Sequence, residues 1–228
     1  MQTTSTDLGT RTVEEVLIRR RSCRAFRPDP VPDEVLDRLF TMAQASPSWC
    51  NTQPWQVHLV SGTATDRLRE ALHDHLAEPP EPDVSFPVSY EGSFRDRRRA
   101  SGLALYESLG IGRGDREASQ RQTMQNFDFF GAPHVAVVTT AASLGPYGAV
   151  DCGVYLGTLL VVAESLGVAA VPQAALAMRS PQLREHLHLD ADRHVLVGVS
   201  LGYADDEHPA NGFRTDRAPL QEVLHHLR

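Results

Sequence analysis

The sequence predicts a soluble globular domain of the α/β or α+β class. The chain has 228 residues, which is enough to bury a full hydrophobic core. Hydrophobic residues make up 41% and charged residues 22%, a balance that is ordinary for such a domain. Short stretches typical of strands are separated by longer segments with helical periodicity. Because no composition shift, repeat or low-complexity segment divides the chain, we expect one domain over residues 1–228.

The N-terminal part of the chain predicts two helices, a polar loop and a strand. Thr12 and Glu15 have the spacing of a capping box, so a short helix begins there and runs into a group of arginines. Pro32 suits the first turn of a second helix, whose apolar residues between 35 and 43 face a core. The loop at 45–54 contains two prolines, and the alternating residues 55–60 predict the first strand.

The central part predicts three helices and a second strand. The helices are expected over 65–76, 93–109 and 116–130, and Gly110 ends the second of them. Four prolines within 77–92 indicate a surface excursion between packed elements rather than a linker to another domain. Three phenylalanines between 127 and 130 are expected to be at least partly buried, and residues 134–140 predict the strand.

The C-terminal part begins with a helix over 147–166 that is apolar on nearly every face. Such a helix lies in the centre of a core or in an obligate interface, and it is the main indication of an oligomer. A short strand is expected at 168–171 and another at 194–200. Ser180 and Pro181 predict a helix start between them, with the serine as cap, and a last short helix is expected at 220–227.

The composition also limits the cellular setting and the partners. The formal net charge of −7 argues against nucleic acid, since phosphate backbones need a broad basic surface. Cys23, Cys50 and Cys152 are odd in number and form no C-x-x-C pair, so neither a disulfide framework nor a zinc site is expected. The N-terminus lacks an apolar leader, and the longest apolar run, 156–163, is too short to span a bilayer. We expect a reduced, cytoplasmic protein that does not bind membranes.

One short stretch concentrates positive charge on this acidic chain. Arg20, Arg21 and Arg24 surround Ser22, and Arg19 precedes them. Arginine offers a planar fork of donors that fits a phosphate in two-point contact, and the serine adds a neutral donor. We interpret the stretch as the grip for a cofactor phosphate. The alternative is a basic helix C-terminus that complements the helix dipole.

Three other chemistries find little support in the sequence. Gly110, Gly112 and Gly114 resemble a dinucleotide loop, but they follow a helix instead of a strand, and the third position of the motif is aspartate. Histidine pairs at 73 and 75, 186 and 188, and 225 and 226 lack a third metal ligand. The chain contains no G-x-S-x-G motif, and Cys50 has no local signature of a nucleophile. We therefore expect no metal.

Four motifs in order give the sequence a family resemblance. They occupy residues 20–24, the loop Pro47–Trp55, the segment Gly167–Ala175 and the tail Asn211–Leu220. Together they resemble the nitroreductase family of FMN-dependent flavoenzymes, over about Val13 to Leu224. The arginines at 97–99 and the segment 126–133 are similar to the nitrobenzoate-reductase subgroup. The resemblance implies an α+β fold with a central mixed or antiparallel sheet wrapped by helices. It also implies an intertwined homodimer with FMN at the subunit interface.

The resemblance assigns cofactor contacts residue by residue. It puts the N-terminal cluster and the tail on the FMN phosphate, Arg24 beside the flavin pyrimidine edge, and the backbone of Pro172–Ala174 against the N5 edge. The loop from Pro47 to Asn51 would come from the other subunit. Trp49 there would narrow the pocket or stack on a flat substrate, and the alternative is that it is a plain packing residue. The expected cofactor-binding residues are Arg20, Arg21, Ser22, Arg24, Pro47, Ser48, Trp49, Asn51, Pro172, Gln173, Ala174, Arg214 and Arg217.

The implied reaction is ping-pong. NAD(P)H reduces tightly bound FMN, and an electron-poor acceptor, usually a nitroaromatic compound, then takes the hydride or electrons. No side chain is expected to act as a catalytic residue, because the flavin does the redox chemistry. Two alternatives stay open: another flavin reaction on the same fold, such as enone or quinone reduction or dehalogenation, and a non-catalytic flavin-binding module.

Overall fold

A computed structural model of the protein describes residues 11–227. Helices over this range are α1 Val13–Arg19, α2 Asp33–Ala43, α3 Thr63–His73, α4 Gly92–Ser108, α5 Arg116–Met124, α6 Gly145–Ser165, α7 Ala174–Ala177 and α8 Ser180–His186. The strands are β1 Gln56–Ser61, β2 His134–Ala141, β3 Ala169–Gln173 and β4 Arg193–Gly202. The predicted capping box is present, since the Thr12 hydroxyl accepts from the Glu15 N–H and the Glu15 carboxylate accepts from the Thr12 N–H.

The four strands form one antiparallel sheet in the order β1-β2-β4-β3. The segment after α1 extends the sheet at the β3 edge, where Ser22 makes a parallel bridge with Ala170 and the Cys23 N–H donates to the Ala170 carbonyl at 3.1 Å. Phe26 then makes an antiparallel bridge with Ala204, just beyond β4. The basic residues around Ser22 therefore lie beside β3, the edge strand of the sheet.

Helices cover both faces of the sheet. Val135 and Val137 of β2 belong to one hydrophobic cluster, and Ala136 and Val138 belong to another. Alternate residues of a strand point to opposite faces, so both faces of β2 are buried. The first cluster includes the phenylalanines 127, 129 and 130, which confirms their predicted burial. The second includes residues of α2 and α6, such as Leu39, Tyr155 and Leu159.

Helix α6 is buried on one side only. Tyr155 and Leu159 pack into the core, whereas Tyr147, Val150 and Val154 are 60%, 58% and 40% exposed. With the turn before it, the helix is long and apolar enough to cross a membrane by length and composition alone. In this fold it packs against β2, β3, α1 and α2. The all-round apolar pattern thus contains a core face and an uncovered apolar stripe.

Three helix predictions are wrong: the end of one helix, the last short helix and one cap. The helix expected over 116–130 ends at Met124, because Phe129 and Phe130 adopt left-handed backbone angles that bring both rings into the core. At the C-terminus, only a single 3₁₀ turn forms, at Leu220–Glu222, because the tail has no buried apolar face to support a helix. Ser180 begins α8 but does not cap it, since its hydroxyl donates backwards to the Ala177 carbonyl at 2.8 Å.

Candidate cofactor site

A cavity of about 610 Å³ lies between the N-terminal segment 17–24 and the C-terminal tail 213–217. Its walls come from α1 and the segment after it, from α4, and from the C-terminal tail. The lining residues are Leu17, Ile18, Arg20, Arg21, Ser22, Arg24, Ser101, Phe213, Arg214, Thr215 and Arg217. All six residues of the N-terminal cluster and the tail that the sequence assigns to a phosphate or flavin are thus brought together in space.

The side chain of Asn211 holds the two ends in register. This buried amide accepts a hydrogen bond from the Arg24 N–H at 2.7 Å and donates to the carbonyls of Ala25 and Asp205 at 2.8 and 2.7 Å. Both of its N–H donors and its oxygen bind backbone groups, so it works as a fixed clamp. The clamp lies three residues before Arg214 and therefore fixes where the tail crosses the cavity.

The cavity carries a large excess of positive charge. Five arginines line it. Within residues 11–227, Arg21 forms an ion pair with Asp206, and the other four form none. The Arg21 Nε is buried without a hydrogen-bond partner. Burial, reinforced by the nearby Arg21 guanidinium, lowers the pKa of Arg214. Like charges held this close favour a bound anion.

Arg24 occupies a distinct position at the inner end of this cavity. Burial lowers its pKa, although a guanidinium remains charged in proteins. Its guanidinium carbon lies 5.6 Å from the centre of the Phe213 ring, a cation–π distance, and its Nη1 lies 3.4 Å from the Ser22 carbonyl oxygen. The residue is thus a fixed, partly desolvated cation.

The residues present fit a mononucleotide phosphate. The cavity volume lies within the usual range for small-molecule sites. A dianion would compensate the clustered guanidiniums and accept hydrogen bonds from them. The Ser22 hydroxyl and the apolar side chains of Leu17 and Ile18 add the neutral part of the wall.

The loop between α2 and β1 does not line this cavity in a single chain. Pro47, Ser48, Trp49 and Asn51 lie instead next to α6, where the Trp49 N–H donates to the Asp151 carboxylate. Trp49 is 59% exposed, and its ring meets Tyr147 edge-on with 4.6 Å between centroids. These residues can contribute to the arginine cavity only from a second copy of the chain.

Pro172, Gln173 and Ala174 also fall outside the cavity wall, although β3 runs directly beside the Ser22 segment. The Gln173 side chain is buried and faces away, since it donates to the Asn126 carbonyl at 2.8 Å and accepts from the Ser200 hydroxyl. The Gln173 amide is therefore used in the core.

Sequence reasoning assigned no role to several residues that shape the site. Asn211 and Phe213 stand inside the tail motif, and only their contacts with Arg24 reveal what they do. Asp206 and Ser101 carry no local signature, because they reach the cavity from separate parts of the chain. Within the described range, no three His, Cys, Asp or Glu residues are grouped so as to hold a metal ion.

Comparisons with known proteins agree in sequence and in fold. The Nitroreductase family model matches residues 17–203. Nitroreductase NfnB of Mycolicibacterium smegmatis is 39% identical over 218 residues, covering 94% of this chain and 92% of that protein. The 4-nitrobenzoate reductase of Pseudomonas putida is 32% identical over 215 residues, covering 94% of this chain and 95% of that protein.

Solved structures show the same likeness. The FMN-dependent nitroreductase NfnB from Mycobacterium smegmatis, in complex with NADPH, superposes with a TM-score of 0.89 at 39% identity, covering 95% of this chain and 98% of the other. The FMN and NADPH-dependent nitroreductase NfnB from sphigopyxis sp. strain HMH gives a TM-score of 0.92 at 33% identity, covering 96% of this chain and 100% of the other.

Proposed function

The chain belongs to the nitroreductase family, and we propose that it is an FMN-dependent oxidoreductase. In this proposal one domain, spanning residues 1–228, uses NAD(P)H to reduce nitroaromatic or related electron-poor acceptors. The observation that carries the proposal is the arginine-rich cavity, in which the two ends of the chain meet around space for a phosphate.

Residues from both segments of the cavity would bind the phosphate of the cofactor. Arg20, Arg21 and Ser22 would hold the phosphate from the N-terminal side, and Arg214 and Arg217 would close over it from the tail. Several charge-assisted hydrogen bonds to one dianion, each worth about 1.5–3 kcal/mol, suffice for tight binding. When bound, FMN supplies a ring that accepts a hydride and passes it on.

Arg24 supplies the electrostatic contribution of the protein. Its partly buried guanidinium lies over the Phe213 ring, and its backbone N–H donates to Asn211. A cation that cannot move away stabilises negative charge placed beside it without further reorganisation. We therefore assign Arg24 to the edge of the ring that becomes more negative on reduction. No side chain needs to act as acid or base, since water can supply protons.

We propose that the active species is a homodimer. The apolar stripe of α6 at Tyr147, Val150 and Val154 is exposed in one chain, and α4 and α5 contain no buried residue over their described lengths. Pairing two copies through α6 would cover the stripe and carry the loop at 47–51 to the cavity of the partner. The backbone of Pro172–Ala174 would face the ring from the same chain as the arginines.

A cytoplasmic location is consistent with the cysteines. Cys23 and Cys152 are buried as free thiols, and Cys50 is exposed as one. Burial raises the pKa of Cys152 to about 11, so its thiol stays protonated and unreactive at neutral pH. We propose that the protein works in a reducing compartment on a small aromatic acceptor.

The test is to purify the protein and identify its chromophore. We expect a yellow protein that releases FMN on denaturation, whose visible absorbance is bleached by NADH or NADPH and restored by 4-nitrobenzoate. A colourless protein that does not take up added FMN would overturn the proposal. Bleaching that only a quinone or a halogenated aromatic reverses would support another flavin reaction, and absence of bleaching would support a binding module.

A further inference from the structure

We propose that Asp151 and Tyr147 of α6 position the Trp49 indole as the wall against which a planar aromatic acceptor stacks. Trp49 is then a specificity-determining residue, and the two α6 residues act through it. The inference rests on the proposed function, because it requires a flavin site on the partner across the α6 seam. It assigns to these three residues the choice of which acceptors bind.

Asp151 is a buried carboxylate used on a single backbone group. It is 7% exposed, and its two carboxylate oxygens lie 3.1 and 3.2 Å from the backbone nitrogen of Trp49. In the described chain these are the only hydrogen bonds of that carboxylate, and it forms no ion pair there. A buried carboxylate whose hydrogen bonds all go to one amide fixes the position of the Trp49 backbone.

The loop that carries Trp49 is strained as well as clamped. Cys50, Asn51 and Gln53 have φ of 52°, 55° and 46°, in the left-handed region that glycine favours. Such angles persist in other residues only where the surroundings hold them, and they cluster at functional sites. Here the Ser48 hydroxyl accepts from the Gln53 N–H at 2.9 Å and closes the loop from inside.

A second buried charge holds the far end of the same loop. Arg193 is 8% exposed, and its guanidinium donates to the Pro54 carbonyl at 3.2 Å and to the Thr139 carbonyl at 2.9 Å. Asp151 and Arg193 thus hold opposite ends of the loop, and no ion pair joins them within residues 11–227. The two charges fix a loop whose most prominent side chain is Trp49.

The Trp49 ring differs from the other tryptophan of the chain. Trp55 is 7% exposed and stacks on the buried Tyr155, with 4.9 Å between centroids and 22° between planes. Trp49 is 59% exposed, and Tyr147 braces it edge-on at 63°. The first pair is ordinary core packing, whereas the second leaves much of the indole uncovered.

An indole that is exposed in the single chain and held through its backbone suits a flat, electron-poor ring. Aromatic faces attract rings in offset or edge-to-face geometry beyond the effect of area alone. Within the α6 stripe Trp49 contacts Tyr147, and Val150 and Val154 supply the rest of its exposed apolar surface. The acceptors named for related proteins, 4-nitrobenzoate and nitrobenzene, are planar aromatic compounds.

The first test measures binding without turnover. The chain has two tryptophans, so 4-nitrobenzoate added to the oxidised, FMN-loaded protein without NADPH should quench the emission of Trp49 and leave that of Trp55. We expect saturable quenching in the wild type and loss of most of it in Trp49→Phe. Equal saturable quenching in both proteins would overturn the inference.

The second test separates positioning from packing. We expect Tyr147→Ala to raise the KM for 4-nitrobenzoate about threefold to tenfold with little change in kcat, and Tyr147→Phe to restore it, because the phenyl ring keeps the edge contact. Asp151→Leu should raise KM similarly, and Asp151→Asn, which keeps an acceptor for the Trp49 N–H, should raise it less. Ferricyanide, a non-aromatic acceptor, provides the reference rate for each variant.

Two results would overturn the inference. One is an equal loss of kcat/KM for 4-nitrobenzoate and ferricyanide in Tyr147→Ala. The other is weaker dimerisation of that variant, measured by sedimentation, with an unchanged KM. If instead the wild type reduces ferricyanide but never 4-nitrobenzoate, the nitroaromatic acceptor in the proposed function is wrong, and the quenching titration still decides whether Trp49 binds planar aromatic compounds.

Discussion

The side-chain oxygen of Asn211 lies 2.7 Å from the backbone nitrogen of Arg24 and accepts its hydrogen bond, although 187 positions separate the two residues. The amide nitrogen of the same side chain donates to the carbonyls of Ala25 and Asp205. One buried residue therefore fixes the distance between the two groups of arginines. The candidate phosphate site is built on this contact.

Replacing Asn211 by leucine should destabilise the protein. The change leaves the Arg24 N–H and the carbonyls of Ala25 and Asp205 buried without that partner, and we expect the free energy of unfolding to fall by about 2–4 kcal/mol. Urea unfolding followed by circular dichroism measures the change. Gln120→Leu, at an exposed position of α5, is the matched control and should change stability little. An equal effect of both variants would contradict the clamp.

Removing an arginine from the cavity should weaken FMN binding. Arg214→Ala or Arg20→Ala deletes a charge-assisted contact worth about 1.5–3 kcal/mol, so the Kd for FMN should rise about 10-fold to 100-fold. Titration of FMN fluorescence with the apoprotein measures this. Arg95→Ala removes the same charge from an exposed position outside the cavity. If all three variants bind FMN equally well, the phosphate site lies elsewhere.

A charge on the exposed stripe of α6 should separate the subunits. Val150 is 58% exposed in one chain, so Val150→Lys should leave the fold of each chain intact. Burying the new ammonium group in a seam would be unfavourable, and we expect sedimentation to show a monomer. Leu59→Lys places the same charge on the edge strand β1, which is 39% exposed at this residue, as the control. A Val150→Lys dimer as stable as the wild type would place the interface on another surface.

Acid should destabilise the fold through His134. This buried ring accepts from the Val31 N–H at 2.9 Å through Nε2, which requires the neutral form, and its Nδ1 lies 2.7 Å from the Ser61 hydroxyl oxygen. Burial lowers the pKa of His134, and the Asp33 charge opposes this only in part. The unfolded chain then binds a proton first, near pH 6.5, so stability is full above this pH and falls below it.

Measuring the free energy of unfolding between pH 7.5 and pH 5 tests this in wild type and His134→Gln. The glutamine oxygen can still accept from Val31, so the variant should lose less stability than the wild type as the pH falls. Burial also lowers the pKa of His58 and His186, and these residues keep part of the slope in both proteins. Identical slopes would show that His134 does not contribute.

Local patterns predicted most of the elements correctly. The capping box at Thr12 formed, and all four strands lie within a few residues of their expected positions, because alternation and turn residues are local properties. The end of α5 could not be read in this way. The chain leaves the helix before Phe129 and Phe130 because burying their two rings in the core stabilises the fold more than another helical turn would.

The sequence by itself determined the class of fold, the family and the nature of the ligand-binding groups. The arginines, the serine and the apolar helix can be recognised from the sequence without coordinates. Only the tertiary structure decided that the arginines of both ends face one cavity, that Asn211 joins them, and that Gln173 is used in the core. It also placed Trp49 against α6 instead of in that cavity. The physical reason is that charge and hydrogen-bonding capacity belong to single residues, whereas their use depends on neighbours brought close by folding of distant segments.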